Sequence, residues 1–334
     1  VRLKDLGEFG LINHLTRHIR TYDSSVVLGI GDDAAAFRAD GDGFLLVTCD
    51  MLVEGRHFIL DKISPEDLGY KALAVSFSDI AAMAGLPRHA VISAGWPEYV
   101  DLSYTERLYN GVREAAESYS VNILGGDTVK APQLVLDVTV IGESKREPVT
   151  RTGARPGHLL AVTGRVGAAA AGLDLLLTGT VPELPADVKA RLITAHVRPL
   201  PRVREAAALA EAGAAAMIDI SDGLASEVNH ICAGSGTGAV VYAGKVPLDA
   251  DTVLAAEKLG KDPLQWALFG GEDYELLVAL PADRVAAARE ALSALGVPLS
   301  VIGEIMDKSS GVVLATGEGV APLSGGGYDH FGGD

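Results

Sequence analysis

Residues 44–85 read FLLVTCDMLVEGRHFILDKISPEDLGYKALAVSFSDIAAMAG, and the order of patterns within them decides the fold class. FLLVTC (44–49) is a compact apolar run preceded by Asp40-Gly41-Asp42-Gly43, the pattern of a strand entered from a turn. SPEDLGYKALAVSFSDIAAMAG then opens as a helix opens. Ser64 is placed to cap it, Pro65 fits its first turn, and Glu66 and Asp67 suit the positive end of its dipole. Working outward, the alternation continues. HAVISAGW reads as a strand, SYTERLYNGVREAAESYS as an amphipathic helix, and VNIL and QLVLDVTVIGE as further strands. A second round follows the Arg/Gly/Pro-rich segment RTGARPGH (151–158). HLLAVTG predicts a strand, VGAAAAGLDLLL and RVREAAALAEAG helices, AAMIDI a strand, then a helix from Asp222 and the strand YELLVAL. The two rounds share a rhythm but no sequence repeat. Two α/β domains of mixed topology are expected, over 1–150 and 151–334.

Composition bounds the function. The chain has 334 residues, enough for two separate cores, and 48% of them are hydrophobic, as in ordinary globular proteins. A formal net charge of -16 argues against a nucleic-acid partner and against a basic, membrane-attracted surface. It leaves room for a phosphate-bearing small molecule if cations bridge acid to acid. Cys49 and Cys232 form no C-x-x-C, so neither a disulfide framework nor a zinc site is expected, and a reducing cytoplasm fits. The N-terminal segment lacks a signal-peptide pattern. Asp174 and Glu211 interrupt the two most apolar windows, so no membrane span is expected.

The chemistry is carried by acidic residues at strand ends and glycine turns. MIDISDGL (217–224) places Asp219 and Asp222 where a strand gives way to a helix, with no Lys or Arg beside them. GIGDDAA holds Asp32 and Asp33, TCDM places Asp50 after a strand, LGGDT carries Asp127 just past VNIL, and GGEDYE holds Glu272 and Asp273. Any one of these could be a turn former or helix cap. Asp79 in FSDIAAMAG is harder to explain that way, because a carboxylate on an apolar helical stretch needs a cation or strong hydrogen bonds. Hard oxygen donors without clustered Cys or His select Mg²⁺, Mn²⁺ or Ca²⁺, and Mg²⁺ completes its shell with substrate phosphates. The chain has no EF-hand loop, Walker A loop, H-E-x-x-H, G-x-S-x-G or protein-kinase signature, and GSGTG (234–238) reads as a plain turn.

In order and spacing, GEFGLI (7–12), GIGDDAA, CDMLVEGRHF (49–58), YKALAVSFSDIAAMAGLP, LGGDT, ITAHVRP (193–199), MIDISDGL, ALFGGEDYEL and the terminal GYDHF are highly specific. Nearly end to end, the sequence resembles the thiamine-monophosphate kinase family of the aminoimidazole-ribonucleotide-synthetase-like superfamily. The resemblance implies an α/β (α+β) fold of two domains with mixed sheets. It also implies a homodimer paired through the N-terminal domains, and an active site between domains. It implies transfer of the γ-phosphoryl of ATP onto thiamine monophosphate. Carried over position by position, Asp33, Thr48, Asp50, Asp79, Asp127, Asp219 and Asp222 would bind several Mg²⁺ ions, with Asp32 sharing that role. Tyr109, Gly126, Asp127, Arg151 and Ser221 would meet ATP, and His57, Glu272 and Tyr328 the thiamine phosphate. Asp219, Asp222 and Arg151 would then serve catalysis directly, Arg151 as a fixed positive charge; its alternative is a surface ion pair at the boundary. Two positions depart from the family's usual pattern: Cys49 for Thr, and Arg56 for a small apolar residue. The rival readings are a purine cyclo-ligase or selenophosphate synthetase of the same superfamily, and a non-catalytic cation- or nucleotide-binding module.

Overall fold

The structure, a computed structural model, describes residues 7–39, 43–178 and 184–326. The first half contains helices α1 (Gly7–Thr16), α2 (Pro65–Ala82) and α3 (Leu102–Tyr119). Its strands are β1 (Val26–Leu28), β2 (Ala35–Arg38), β3 (Phe44–Val53), β4 (Leu86–Trp96), β5 (Asn122–Lys130) and β6 (Val135–Ser144). They form one sheet in the order β1-β2-β3-β6-β4-β5, antiparallel except for the β4–β5 pair. β3 alternates as its sequence predicts. Leu46, Thr48 and Leu52 are buried beneath α2, while Cys49 and Met51 face outward.

The second half contains α4 (Ala168–Thr178), α5 (Ala186–Val197), α6 (Val203–Ala212), α7 (Leu224–Ser235), α8 (Ala250–Leu259), α9 (Pro263–Phe269) and α10 (Val285–Ala294). Its strands are β7 (Leu159–Thr163), β8 (Ala216–Asp219), β9 (Gly238–Tyr242), β10 (Leu276–Leu280), β11 (Leu299–Met306), β12 (Val312–Thr316) and β13 (Gly319–Pro322). The sheet order is β13-β12-β9-β11-β7-β10-β8, with only β9 and β12 parallel. Apolar layers lie on both of its faces, so β10 (LLVAL) is buried at every residue, as a continuous apolar run should be.

Helix α2 joins the two halves. It is apolar nearly all round because it is covered on all sides: Leu73 and Phe77 pack in the first core, while Ala81 and Ala82 belong to the second. Ser64 caps it, accepting from the Asp67 amide at 3.1 Å. Two element boundaries differ from the sequence expectation. β5 runs on through Gly125-Gly126-Asp127 instead of stopping at Leu124. Gly126 is required there, since a Cβ would fall 1.6 Å from the Ile92 carbonyl oxygen of the neighbouring strand. α7 starts at Leu224, not Asp222, because Gly223 at φ 114° holds the chain out of the helix for two more residues.

Candidate active site between the domains

Five carboxylates from separate elements meet where α2 crosses from one domain to the other. Asp33 precedes β2, Asp50 lies on β3, Asp79 on α2 and Asp219 at the end of β8; Glu227, on α7, closes the group. Protein donors engage several of them. Thr48 Oγ1 donates to Asp79 Oδ2 at 2.5 Å, and Ser78 Oγ donates to Asp219 Oδ2 at 2.6 Å across the domain boundary. Arg151 Nη2 donates to Asp33 Oδ1 at 2.6 Å, and the Arg151 amide to Asp32 Oδ2 at 3.1 Å. Glu227 accepts from the Asp222 amide at 3.1 Å, bracing the loop that carries Ser221 and Asp222.

The electrostatics of this group favour a cation. Burial raises the Asp79 carboxyl well above its ordinary range, and Asp50, Asp219 and Asp33 push it further in the same direction. Burial likewise lifts Asp219 to about 6, with Asp50 adding and Ser78 opposing. Asp33 and Glu227 are raised by burial and by their acidic neighbours, although Arg151 pulls Asp33 back. Two oxygens, Asp33 Oδ2 and Asp50 Oδ2, are buried without a hydrogen-bond partner. Orphaned buried carboxylate oxygens of this kind, all hard donors, fit Mg²⁺ or a similar ion. Among the described residues, no group of three or more His, Cys, Asp or Glu side chains is arranged to hold a metal ion.

A cavity of about 1070 Å³ opens from the acidic group. Asp50, Ser221 and Asp222 line it together with His57, Lys71, His196 and Glu272, and Leu173, Leu176 and Leu177 of α4 supply an apolar wall. His57 is fixed by its Nδ1, which accepts from the Val53 amide at 3.0 Å. The Glu272 loop lies against the Ser221 loop, its amide donating to the Ser221 carbonyl at 2.7 Å. Glu272 and Tyr274 both hold positive φ, 60° and 50°. Non-glycine residues accept that conformation only where their surroundings enforce it.

Most of the expected site residues therefore come together: Asp32, Asp33, Thr48, Asp50, Asp79, Arg151, Asp219, Ser221 and Asp222 around the acidic group, with His57 and Glu272 along the same cavity. Gly126, Asp127 and Tyr109 stand apart. β5 is three strands from β3, roughly 14 Å at ordinary strand spacing. In register, Asp127 shares the row of Ser93, Asp137 and Met51, on the sheet face opposite Asp50. Tyr109 lines a separate groove with Trp96, Asn110 and Arg113. Tyr328 lies outside the described residues. Sequence reasoning missed Ser78, Glu227, Lys71 and His196. Lys71 carried the same signal as Asp79, a charge within an apolar helical run, eight residues earlier on the same face.

Comparisons with known proteins place the chain in a family. The family model for the N-terminal domain of AIR synthase related proteins matches residues 31–144, and that for the C-terminal domain matches residues 155–315. Thiamine-monophosphate kinase of Bacillus subtilis (strain 168) is 40% identical over 329 residues, covering 98% of this chain and all of that one. The chain belongs to the thiamine-monophosphate kinase family. The Aquifex aeolicus (strain VF5) member is 41% identical, with 85% of this chain and 89% of that one covered. The solved structure described as AaThiL complexed with AMPPCP and TMP superposes with a TM-score of 0.87 at 36% identity, covering 99% of each chain. In this chain two mixed sheets are joined by the buried helix α2, and the carboxylates gather where it passes between them.

Proposed function

We propose that this protein is a cytoplasmic thiamine-phosphate kinase that transfers the γ-phosphoryl group of ATP directly to the phosphate of thiamine monophosphate, giving thiamine diphosphate and ADP. The observation that carries this is one cavity lined both by Asp50 and Asp222 of the acidic group and by His57 and Glu272. The cavity encloses about 1070 Å³, and the related structure was solved with a nucleotide analogue and TMP together. An oxygen of the acceptor phosphate forms the new P–O bond as the bond from the γ-phosphorus to the ADP oxygen breaks. That nucleophile has its second pKa near about 6 and is largely ionised at neutral pH, so no general base is required. The remaining difficulty is to bring two anions into line.

Asp33, Asp50, Asp79, Asp219 and Asp222, with Thr48 and Asp32, are the residues that would hold Mg²⁺. Bound there, such ions would neutralise charge between the phosphates and stabilise the leaving oxygen. Ser221 and the Gly223 turn let the backbone approach the nucleotide closely, and the N-terminus of α7 behind them favours an anion. Arg151 adds a fixed positive charge, already oriented by Asp32 and Asp33.

We infer further that the enzyme works as a homodimer paired along β5. All nine residues of this edge strand are exposed, Ile123, Leu124 and Val129 among them. An exposed apolar edge of that length is a template for another strand. Pairing there gives a route for Gly126, Asp127 and Tyr109 to serve a site in the second copy. The deciding experiment is product analysis with ATP, Mg²⁺ and thiamine monophosphate. Thiamine diphosphate and ADP in equal amounts support the proposal; turnover only with a different acceptor, or none, overturns it in favour of the superfamily rivals or a binding module.

A further inference from the structure

Lys71 is a lysine whose side chain is 1% exposed, in the middle of a helix that packs on both domains. Its Nζ lies 2.7 Å from Glu272 Oε1, and His196 Nδ1 lies 3.1 Å from Glu272 Oε2. Lys71 comes from the first domain; His196, on α5, and Glu272 come from the second. Both partners are covered, at 1% and 7%, whereas the Glu272 side chain is 26% exposed. Of the three groups, all of which line the cavity, Glu272 is the most exposed, and the two that neutralise it are nearly covered.

A simple interdomain tie does not account for this arrangement. A buried Lys–Glu pair is seldom more stabilising than apolar residues of the same volume. Here the fold also holds Glu272 at φ 60°, next to Gly271, whose Cβ would sit 2.4 Å from the Ser221 carbonyl oxygen. Backbone strain at a cavity wall, spent on directing one carboxylate inward, points to recognition. Burial alone would raise the Glu272 carboxyl, but the Lys71 ammonium and the His196 contact outweigh it and bring it down to about 2. Leu173, Leu176 and Leu177 of α4 give the same cavity an apolar wall. An anionic acceptor next to an apolar wall suits an aromatic heterocycle that bears an amino group and a positive charge.

We propose that Lys71 and His196 are positioning residues that clamp Glu272 from both domains, and that the fixed carboxylate selects the amino-bearing, cationic heterocycle of the acceptor. This rests on the reading above that the cavity receives the thiamine end of thiamine monophosphate. It adds two residues and a basis for specificity.

Steady-state kinetics of the full-length enzyme test it, using thiamine monophosphate and its oxo analogue, oxythiamine monophosphate, which lacks the amino group. Lys71→Met and His196→Leu are expected to raise KM for thiamine monophosphate at least tenfold. KM for ATP should stay within about twofold, and the preference over the oxo analogue should shrink by a similar factor. His196→Gln, which keeps a polar group at Oε2, should recover most of the loss. The double variant Lys71→Met/Glu272→Gln removes both charges of the pair. It should regain the melting temperature lost in Lys71→Met without regaining KM or the preference. If it regains all three, the pair is a structural tie and the proposal is wrong. If Glu272→Gln alone raises KM while Lys71→Met and His196→Leu do not, the positioning role falls and the cavity assignment stands. If Glu272→Gln leaves KM unchanged, the acceptor does not reach this wall, and both fail here regardless of the product assay.

Discussion

At the scale of single residues, the site is built from groups that are costly for the fold. Asp79 is part-buried, repelled by three neighbouring carboxylates, and accepts from the Thr48 hydroxyl. Replacing it with Asn keeps an acceptor for Thr48 and removes one repelling charge. Asp79→Asn is therefore expected to raise the melting temperature of the metal-free protein by a few degrees, to abolish the further rise caused by Mg²⁺, and to lower turnover at least a hundredfold. Scanning calorimetry with and without Mg²⁺, alongside kcat, checks all three, and a stabilised but fully active variant would remove Asp79 from the ion site. Asp222→Asn should lower turnover by orders of magnitude with the melting temperature nearly unchanged; near-normal activity would exclude it from the same site. Glu272 gives a pH prediction. Its carboxyl lies near 2 in the folded chain, below its ordinary value, so the stability it contributes is complete above about pH 4.5 and is lost as the pH falls towards 2. Chemical denaturation at pH 5 and pH 3 should show the wild type losing more stability than Glu272→Gln over that interval, by an amount on the order of 2 kcal/mol.

At the scale of elements, α2 is the member on which the site depends. Lys71, Val75, Ser78 and Asp79 lie on one stripe of it, so a single rigid helix sets the distance from Lys71, which meets Glu272, to Asp79 in the acidic group, roughly 12 Å at 1.5 Å per residue. Its position is fixed by close contact with α3. A Cβ on Gly69 would fall 2.0 Å from the Leu108 carbonyl oxygen, and one on Gly111 would fall 1.7 Å from that of Glu66. Gly111→Ala must therefore push the helices apart. It is expected to cost about 2 kcal/mol or more and to lower turnover through displaced Ser78 and Asp79, whereas Ser64→Ala, which removes only the cap, should cost about 1 kcal/mol and leave kcat intact. Urea titrations with parallel assays distinguish the two, and equal effects on activity would show that helix spacing does not control the site. The sequence already showed this helix, its cap and its apolar covering. The close approach to α3 was not legible, because it depends on which glycines two distant segments place against each other.

At the scale of the whole molecule, the two domains meet through polar contacts that double as parts of the site: Ser78 with Asp219, Lys71 with Glu272, and Arg151 with Asp32 and Asp33. Arg198 adds a tie remote from the acidic group, pairing with Asp67 at 3.0 Å and stacking 4.3 Å from the Tyr70 ring centre. The exposed β5 edge is where we propose that a second copy pairs. Leu124→Lys, a charge placed on that edge, is expected to convert a dimeric wild type into a monomer and to lower turnover at least tenfold. Light scattering coupled to gel filtration, with assays on the same fractions, tests this; a wild type that is monomeric and fully active would refute the dimer.

The sequence by itself determined the strand–helix alternation, the two-domain fold class and the identity of the acidic residues. Each of these is written in short-range periodicity or in motifs of fixed spacing, as in FLLVTC, the Ser64 cap and MIDISDGL. Only the tertiary structure decided that Asp33, Asp50, Asp79 and Asp219 come close enough to repel one another, that Lys71 and His196 both meet Glu272, and that Asp127 faces away from the acidic group of its own chain. The physical reason is that burial and charge coupling are properties of groups brought together by folding. Residues 33, 79 and 219 carry no local mark of their proximity, and the energy that makes them a site arises once water has been excluded from between them.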